Sequence, residues 1–313
     1  MFKKLAEFLL PAIALGGVVF WYLTAPEYVS DDLLAGMENG DAIAGETIFW
    51  AGGCASCHGP TGKKAAGAAE NKSAQFVLGG GHGLNTPFGT FYVPNISSDP
   101  KHGIGSWTGK QFANAMLKGV SPDGSHYYPA FPYTSYAKMD VKDVADLWAF
   151  MKELPAAANS NKSHDIWLPF KLRRGLGLWK MLYLNNDRMV EFENPDEKLA
   201  RGQYLVESVA HCGECHTPRN IIGGFDKKRW LAGGPSPDGD GNIPNITPHD
   251  SGLGNWSLND IVYSLESGFT PEFDSFGGSM TDVQQNMAKL SASDREAIGI
   301  YLKAVLPVAS KPK

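Results

Sequence analysis

All four cysteines of this 313-residue chain belong to two copies of one short motif, C-x-x-C-H. The copies comprise Cys54, Cys57 and His58, and Cys212, Cys215 and His216. Two cysteines at positions i and i+3 lie on one face of a helical turn, where both can form thioethers to the vinyl groups of one haem. The adjacent histidine then reaches the iron. This pattern is the signature of covalent haem c attachment.

C-x-x-C pairs also occur in zinc sites and in redox-active dithiol sites. Zinc requires further cysteine or histidine ligands at metal-ligand spacing, and a thioredoxin-like pair requires a β-α-β context. Neither pattern accompanies these motifs, and no cysteine is left over. The sequence therefore predicts two covalently bound haem c groups.

The second axial ligand of each iron decides what the protein can do. A methionine opposite the histidine raises the reduction potential and closes the iron to substrates, whereas an open position permits peroxide chemistry. In the first copy, Met139 follows the proline-containing loop at residues 129–133 and is the predicted ligand. In the second copy the equivalent position holds Leu290, so Met280 and Met287 are both candidates. The two glycines before Met280 favour it modestly, because they allow backbone to approach the haem.

The chain contains six further histidines, mostly among glycine, proline, asparagine and aspartate. We interpret them as solvated loop residues. If neither Met280 nor Met287 binds the second iron, one of these histidines is the remaining candidate ligand. They are His82, His102, His126, His164, His211 and His249.

The order of motifs is repeated along the chain. Each C-x-x-C-H motif is followed by a Pro-Asn-Ile segment and then by Gly-x-Gly-x-Trp, at residues 93–97 and 103–107 and again at 243–247 and 252–256. Helical capping signals and apolar stripes predict three helices per copy. These are a leading helix at 45–50 and 202–208, a capped helix at 108–119 and 257–268, and a closing helix at 140–151 and 291–302.

This pattern predicts a mainly α fold with two tandem helical domains and long loops. The expected boundaries are an N-terminal membrane anchor and linker at 1–40, domain 1 at 41–155, a connector at 156–198, domain 2 at 199–308 and a tail at 309–313. The 36 glycines and 20 prolines account for the loops. A net charge of -5 without a basic face excludes a nucleic-acid binder.

The N-terminus predicts export of the rest of the chain. Lys3 and Lys4 precede an uncharged, mainly apolar run at residues 8–23, and acidic residues follow it. The positive-inside rule places the N-terminus in the cytoplasm. The length of the run and its flanks favour a retained transmembrane helix over a cleaved signal peptide. We therefore expect a single-pass protein of the bacterial inner membrane, with both haem domains in the periplasm.

Residues 41–308 resemble the multihaem cytochrome c subunits of membrane-bound bacterial alcohol, aldehyde and sugar-acid dehydrogenases. The most specific stretches are residues 84–90 (LNTPFGT), both Pro-Asn-Ile segments, 128–133 (YPAFPY) with Met139, and 201–206 (RGQYLV) leading to 211–220 (HCGECHTPRN). The resemblance implies two class I cytochrome c-like domains. It also implies the axial pairs His58/Met139 and His216/Met280, because the family's second ligand is the methionine of a Gly-x-Met segment.

Motif and resemblance together predict a membrane-anchored dihaem cytochrome c. It would relay single electrons from a periplasmic dehydrogenase, or from a quinol or cytochrome donor, to an acceptor such as a terminal oxidase. We expect a non-catalytic electron-transfer protein or a subunit of an oxidoreductase complex. The alternative is a peroxidase-like dihaem enzyme with an open or histidine-ligated second iron, which Leu290 favours.

Overall fold

The computed structural model describes residues 2–60, 74–236 and 241–310, with residues 2–7 described by their backbone only. The fold is mainly helical, as the sequence predicts. Its helices are Phe2–Leu23, Asp31–Leu34, Ala42–Ala51, Cys54–His58, Gly109–Lys118, Tyr133–Tyr136, Val141–Glu153, Leu176–Tyr183, Glu197–Tyr204, Gly213–His216, Leu258–Ser267, Met280–Met287 and Ala292–Ala304. Short 3₁₀ turns occur at Ala35–Glu38, Ala74–Phe76, Leu168–Lys171, Arg173–Gly175 and Lys227–Arg229.

In each copy the leading helix packs against the closing helix at a glycine. A Cβ atom on Gly45 would lie 2.0 Å from the carbonyl oxygen of Asp146, and one on Gly202 would lie 1.9 Å from that of Ala297. A side chain at either position would push the two helices apart. The two glycines therefore allow the close crossing that positions each haem motif at the end of its leading helix.

The two predicted capped helices form, and the capping residues that predicted them make the expected hydrogen bonds. Thr108 and Gln111 form a capping box at the start of Gly109–Lys118, and Ser257 and Asp260 form one at the start of Leu258–Ser267. Each helix ends at a glycine with positive φ, as left-handed C-caps require.

The second leading helix contains a feature that the first lacks. Cys54 follows Gly45 by nine residues, whereas Cys212 follows Gly202 by ten. The structure accommodates the extra residue as a π-helical turn at Leu205–Val209, which continues the α-helix Glu197–Tyr204. The predicted helix at 202–208 is therefore confirmed in position, with a local change of winding.

Short strands occur where the sequence predicted only loops. Gly83–Thr86 and Gly89–Tyr92 form an antiparallel hairpin, with Gly83 opposite Tyr92, and Asp165–Ile166 from the connector adds a third strand. In the second copy, Gly234–Pro235 pairs with Asn242–Ile243. These strands have two to four residues, too few for an alternating pattern to indicate them.

The predicted transmembrane helix is wrong. No helix in the described part of the chain is long and apolar enough to cross a membrane. The helix Phe2–Leu23 does form, but Lys3, Lys4 and Glu7 lie in its first two turns. Its uncharged part, residues 8–23, covers only about 24 Å at about 1.5 Å per residue, against a hydrocarbon core of about 30 Å. The described helix therefore does not support the expected single-pass anchoring.

The two copies share one continuous apolar core. Phe49, Trp50 and Trp148 of the first copy belong to the same cluster of packed buried residues as Leu205 and Tyr301 of the second. The connector is tied to the first copy by Lys180, whose Nζ donates to the carbonyl oxygens of Lys118 and Gly119. Both haem motifs therefore lie on one packed body.

Candidate haem sites

The first haem motif forms one short helix. Cys54 and Cys57 lie three residues apart in the helix Cys54–His58, and Gly53 before it adopts a left-handed conformation with φ of 59°. The Nδ1 atom of His58 donates to the carbonyl oxygen of Pro94 at 2.8 Å. This bond fixes the ring and leaves Nε2 as the ligand atom, which is the arrangement that metal-binding histidines use.

The second haem motif has the same geometry. Cys212 occupies the N-cap position of the helix Gly213–His216, and Nδ1 of His216 donates to the carbonyl oxygen of Pro244 at 2.9 Å. Gly213 is required because a Cβ atom there would lie 2.1 Å from the indole of Trp230. The proximal arrangement is therefore built twice from equivalent residues.

Burial sets the protonation of the histidines and of the first cysteine of each motif. It lowers the pKa of His58 to about 4, opposed by the hydrogen bond to Pro94, and it lowers the pKa of His216 below its ordinary value. Both rings are neutral near pH 7, as a metal ligand must be. Before haem attachment, burial also raises the thiol pKa of Cys54 and of Cys212 to about 12.

The Pro-Asn-Ile segments hold the two carbonyl oxygens in place. The buried Asn95 side chain donates to the carbonyls of Ala157 and Asn159 and accepts from the amide of Ser97. Asn245 repeats this with the carbonyl of Val308 and the amide of Thr247. Sequence reasoning identified these segments as repeats but did not assign them a role. Their repetition downstream of each histidine, with Pro94 36 residues after His58 and Pro244 28 residues after His216, was the available signal.

The structure places the predicted methionine ligands in different environments. Met139 is buried and follows the short helix Tyr133–Tyr136. Met287 is also buried and packs in the core. Met280 begins the helix Met280–Met287, is half-buried, and follows Gly278, whose φ is 57°. Met139 and Met287 therefore both belong to the buried core, whereas Met280 does not.

The donor set fits covalently bound haem. Each motif presents two cysteines on one turn and a neutral, oriented imidazole, which is what haem c attachment uses. In residues 2–60, 74–236 and 241–310, no three His, Cys, Asp or Glu side chains form a group that could hold a metal ion.

The interpretation of the remaining histidines is wrong for His126. This side chain is buried, and its Nε2 donates to the carbonyl of Thr24 at 2.9 Å. Thr24 directly follows the first helix, Phe2–Leu23, and Nε of Arg174 donates to its Oγ1 at 2.9 Å. His211 is half-buried between the two copies, with its Nε2 at 3.2 Å from the carbonyl oxygen of Gly52.

The chain is similar to known c-type cytochromes. Residues 42–155 match the family model described as Cytochrome c. The chain is 50% identical over 297 residues to a diheme cytochrome c-type protein of Cereibacter sphaeroides, covering 95% of this chain and 96% of that protein. The chain therefore belongs to the cytochrome c family, carries haem c and has an electron-transfer role.

Two further relatives have dehydrogenase names. The chain is 35% identical over 265 residues to the fructose dehydrogenase cytochrome subunit of Gluconobacter japonicus, covering 83% of this chain and 52% of that subunit. It is 37% identical over 235 residues to the cytochrome c subunit of the quinone alcohol dehydrogenase of Gluconobacter oxydans, covering 72% of this chain and 49% of that subunit. The chain thus spans about half the length of these two subunits. The resemblance drawn from the motifs is confirmed.

Proposed function

We propose that the protein carries two haem c groups and relays single electrons between a dehydrogenase, quinol or cytochrome donor and a downstream acceptor. The observation that carries this proposal is the repeated proximal geometry, with His58 bonded to Pro94 and His216 bonded to Pro244. When bound, each haem supplies an iron that alternates between the ferric and ferrous states.

The chain's own residues would attach, orient and enclose the two groups. The cysteines of each motif would hold the haem covalently, and His58 and His216 would be the proximal ligands. We assign Met139 as the distal ligand of the first iron and Met280 as that of the second. The segment Gly278-Ser279-Met280 supports the choice of Met280 over Met287, because it is similar to the Gly-x-Met segment that supplies this ligand in the family. With both iron positions filled, neither site would bind a substrate.

The names of the relatives support the choice of partner. The matches to a fructose dehydrogenase subunit and to an alcohol dehydrogenase subunit make a dehydrogenase the proposed electron donor. We place the relay in the periplasm, because the apolar run at residues 8–23 behind two lysines is typical of an exported protein. Isolation of the protein with its neighbours from cell extracts would identify the donor.

Absorption spectra and a redox titration test the relay directly. The purified protein should show two low-spin haems with two separate one-electron transitions and no carbon monoxide binding. Met139→Ala and Met280→Ala should each convert one haem to a high-spin, carbon monoxide-binding form. Met287→Leu keeps the core volume and is the matched control, with both haems unchanged.

The same measurements can reject the assignment. An unchanged spectrum in Met280→Ala, with a change in Met287→Leu, would move the distal ligand to Met287. A high-spin second haem that binds carbon monoxide in the unaltered protein would favour the peroxidase-like alternative, in which Leu290 takes the place of a ligand.

A further inference from the structure

The contact between the two copies is reciprocal. Ser56, inside the first haem motif, accepts a hydrogen bond from Asn286 of the second copy at 2.6 Å. Glu214, at the same place in the second motif, accepts one from Ser135 of the first copy at 2.8 Å. Ser135 lies four residues before Met139, and Asn286 lies four residues before Leu290. Each motif therefore contacts the distal segment of the other copy, as in an isologous interface.

One residue at this contact departs from the symmetry. The position before the first cysteine is Gly53 in the first motif and His211 in the second, and both adopt positive φ, of 59° and 40°. Glycine takes this conformation without strain, whereas a residue with a side chain takes it at a cost. A histidine kept in a strained conformation next to Cys212 indicates that its side chain has a role there.

The imidazole of His211 lies directly between the two motifs. Its Nε2 donates to the carbonyl oxygen of Gly52, which lies two residues before Cys54. Its ring meets the buried ring of Tyr136 edge-on, with centroids 5.5 Å apart.

These contacts form a nearly continuous bonded route. From Cys54 it follows the backbone through Gly53 to the Gly52 carbonyl, crosses one hydrogen bond to the His211 ring, and reaches Cys212 through the next peptide unit. Both ends are cysteines that attach haem. The hydrogen bonds at Ser56 and Glu214 also lie inside the motifs, but they run to the distal segments of the other copy rather than to the opposite cysteine.

We propose that His211 is the bridging residue for electron transfer between the two haem attachment sites. This inference rests on the proposed function. In the step itself one electron leaves the reduced site and is gained by the oxidised site. No covalent bond forms or breaks, and no proton is transferred.

Flash photoreduction of the full-length holoprotein tests the bridge, with internal electron equilibration followed optically. His211→Gly keeps the positive φ without strain but removes the ring. It should slow the internal transfer by about tenfold or more, while both midpoint potentials and the thermal unfolding temperature stay close to those of the unaltered protein. His249→Ala, in a loop of the second copy, is the matched control and should leave the rate unchanged.

The outcomes separate the bridge from a packing role and from the relay itself. An unchanged rate in His211→Gly with both haems bound would overturn the bridge and leave the relay intact. If His211→Gly loses haem or stability, His211→Asn replaces it, because asparagine tolerates positive φ and is too short to span the contact. A normal rate in that variant would also overturn the bridge. Absence of internal transfer in the unaltered protein would count against the proposed function instead.

Discussion

Pro94 and Pro244 contribute to the sites through their carbonyl oxygens rather than through their rings. Each oxygen accepts the Nδ1 hydrogen of a proximal histidine and so selects the tautomer with Nε2 directed to a metal. The carbonyl can do this only while its loop is held still. For Pro94 that task falls to the buried side chain of Asn95.

Asn95→Ala should therefore destabilise the fold and disturb the first haem site selectively. Loss of its bonds leaves the carbonyl of Ala157 and the amide of Ser97 without this partner, at a cost of about 2 kcal/mol in the free energy of unfolding. Denaturant titration measures this loss, and redox titration should show a shifted potential for the first haem only. The exposed Asn85→Ala is the control. Equal shifts at both haems would contradict the assigned role.

The capped helices show how one structural element is built twice with different chemistry. Gln111 completes the first capping box and Asp260 completes the second. Hydrogen bonds from Ser257 lower the pKa of Asp260 below its ordinary value of 3.8. The ionised carboxylate is thus favoured in the folded chain, and only the second cap depends on pH.

Asp260→Gln places the residue type of the first capping box, Gln111, in the second box and removes the titratable carboxyl group. For a carboxyl group with a lowered folded pKa, the stabilising contribution is complete above the ordinary pKa and is lost as the pH falls through the folded pKa. The unaltered protein should therefore lose stability relative to Asp260→Gln between about pH 5 and about pH 2. Thermal unfolding across this range measures the difference. The exposed Glu272→Gln is the control for loss of one surface carboxylate. Unfolding temperatures of Asp260→Gln that stay parallel to those of the unaltered protein across this pH range would contradict the prediction.

At the scale of the whole molecule, the π-turn and the shared core join the two copies. The π-turn Leu205–Val209 carries Glu207, which is 1% exposed and accepts hydrogen bonds from the Met189 amide, Gln203 and Tyr301. Glu207 thereby attaches the connector to the second copy. Because the apolar core continues from there into the first copy, instability in one copy should spread to the other.

Glu207→Leu tests this coupling. It leaves several buried donors without an acceptor and should lower the free energy of unfolding by about 3 kcal/mol. Hydrogen exchange should rise together in the leading helix of the first copy, Ala42–Ala51, and in that of the second, Glu197–Tyr204. The exposed connector variant Glu191→Leu is the control. Faster exchange confined to the second copy would show that the copies unfold independently.

Much of the fold was predictable because its signals are local. The capped and closing helices follow from side chains within a turn of one another, such as Thr108 with Gln111. The hairpin at 83–92 and the π-turn were missed, since the first is too short for a periodic pattern and the second results from one extra residue. The transmembrane prediction failed because residues 8–23 are apolar in character but too few in number.

The sequence by itself determined the chemistry of attachment. The spacing of Cys54, Cys57 and His58 lies within one helical turn, and so does that of the second motif, so no distant residue is needed to identify them. Only the tertiary structure decided which distant groups serve them. The Pro94 carbonyl that orients His58 is 36 residues away, and Gly52 and His211 are separated by 159 residues. Such pairs meet through the packing of whole helices, which residue spacing does not encode.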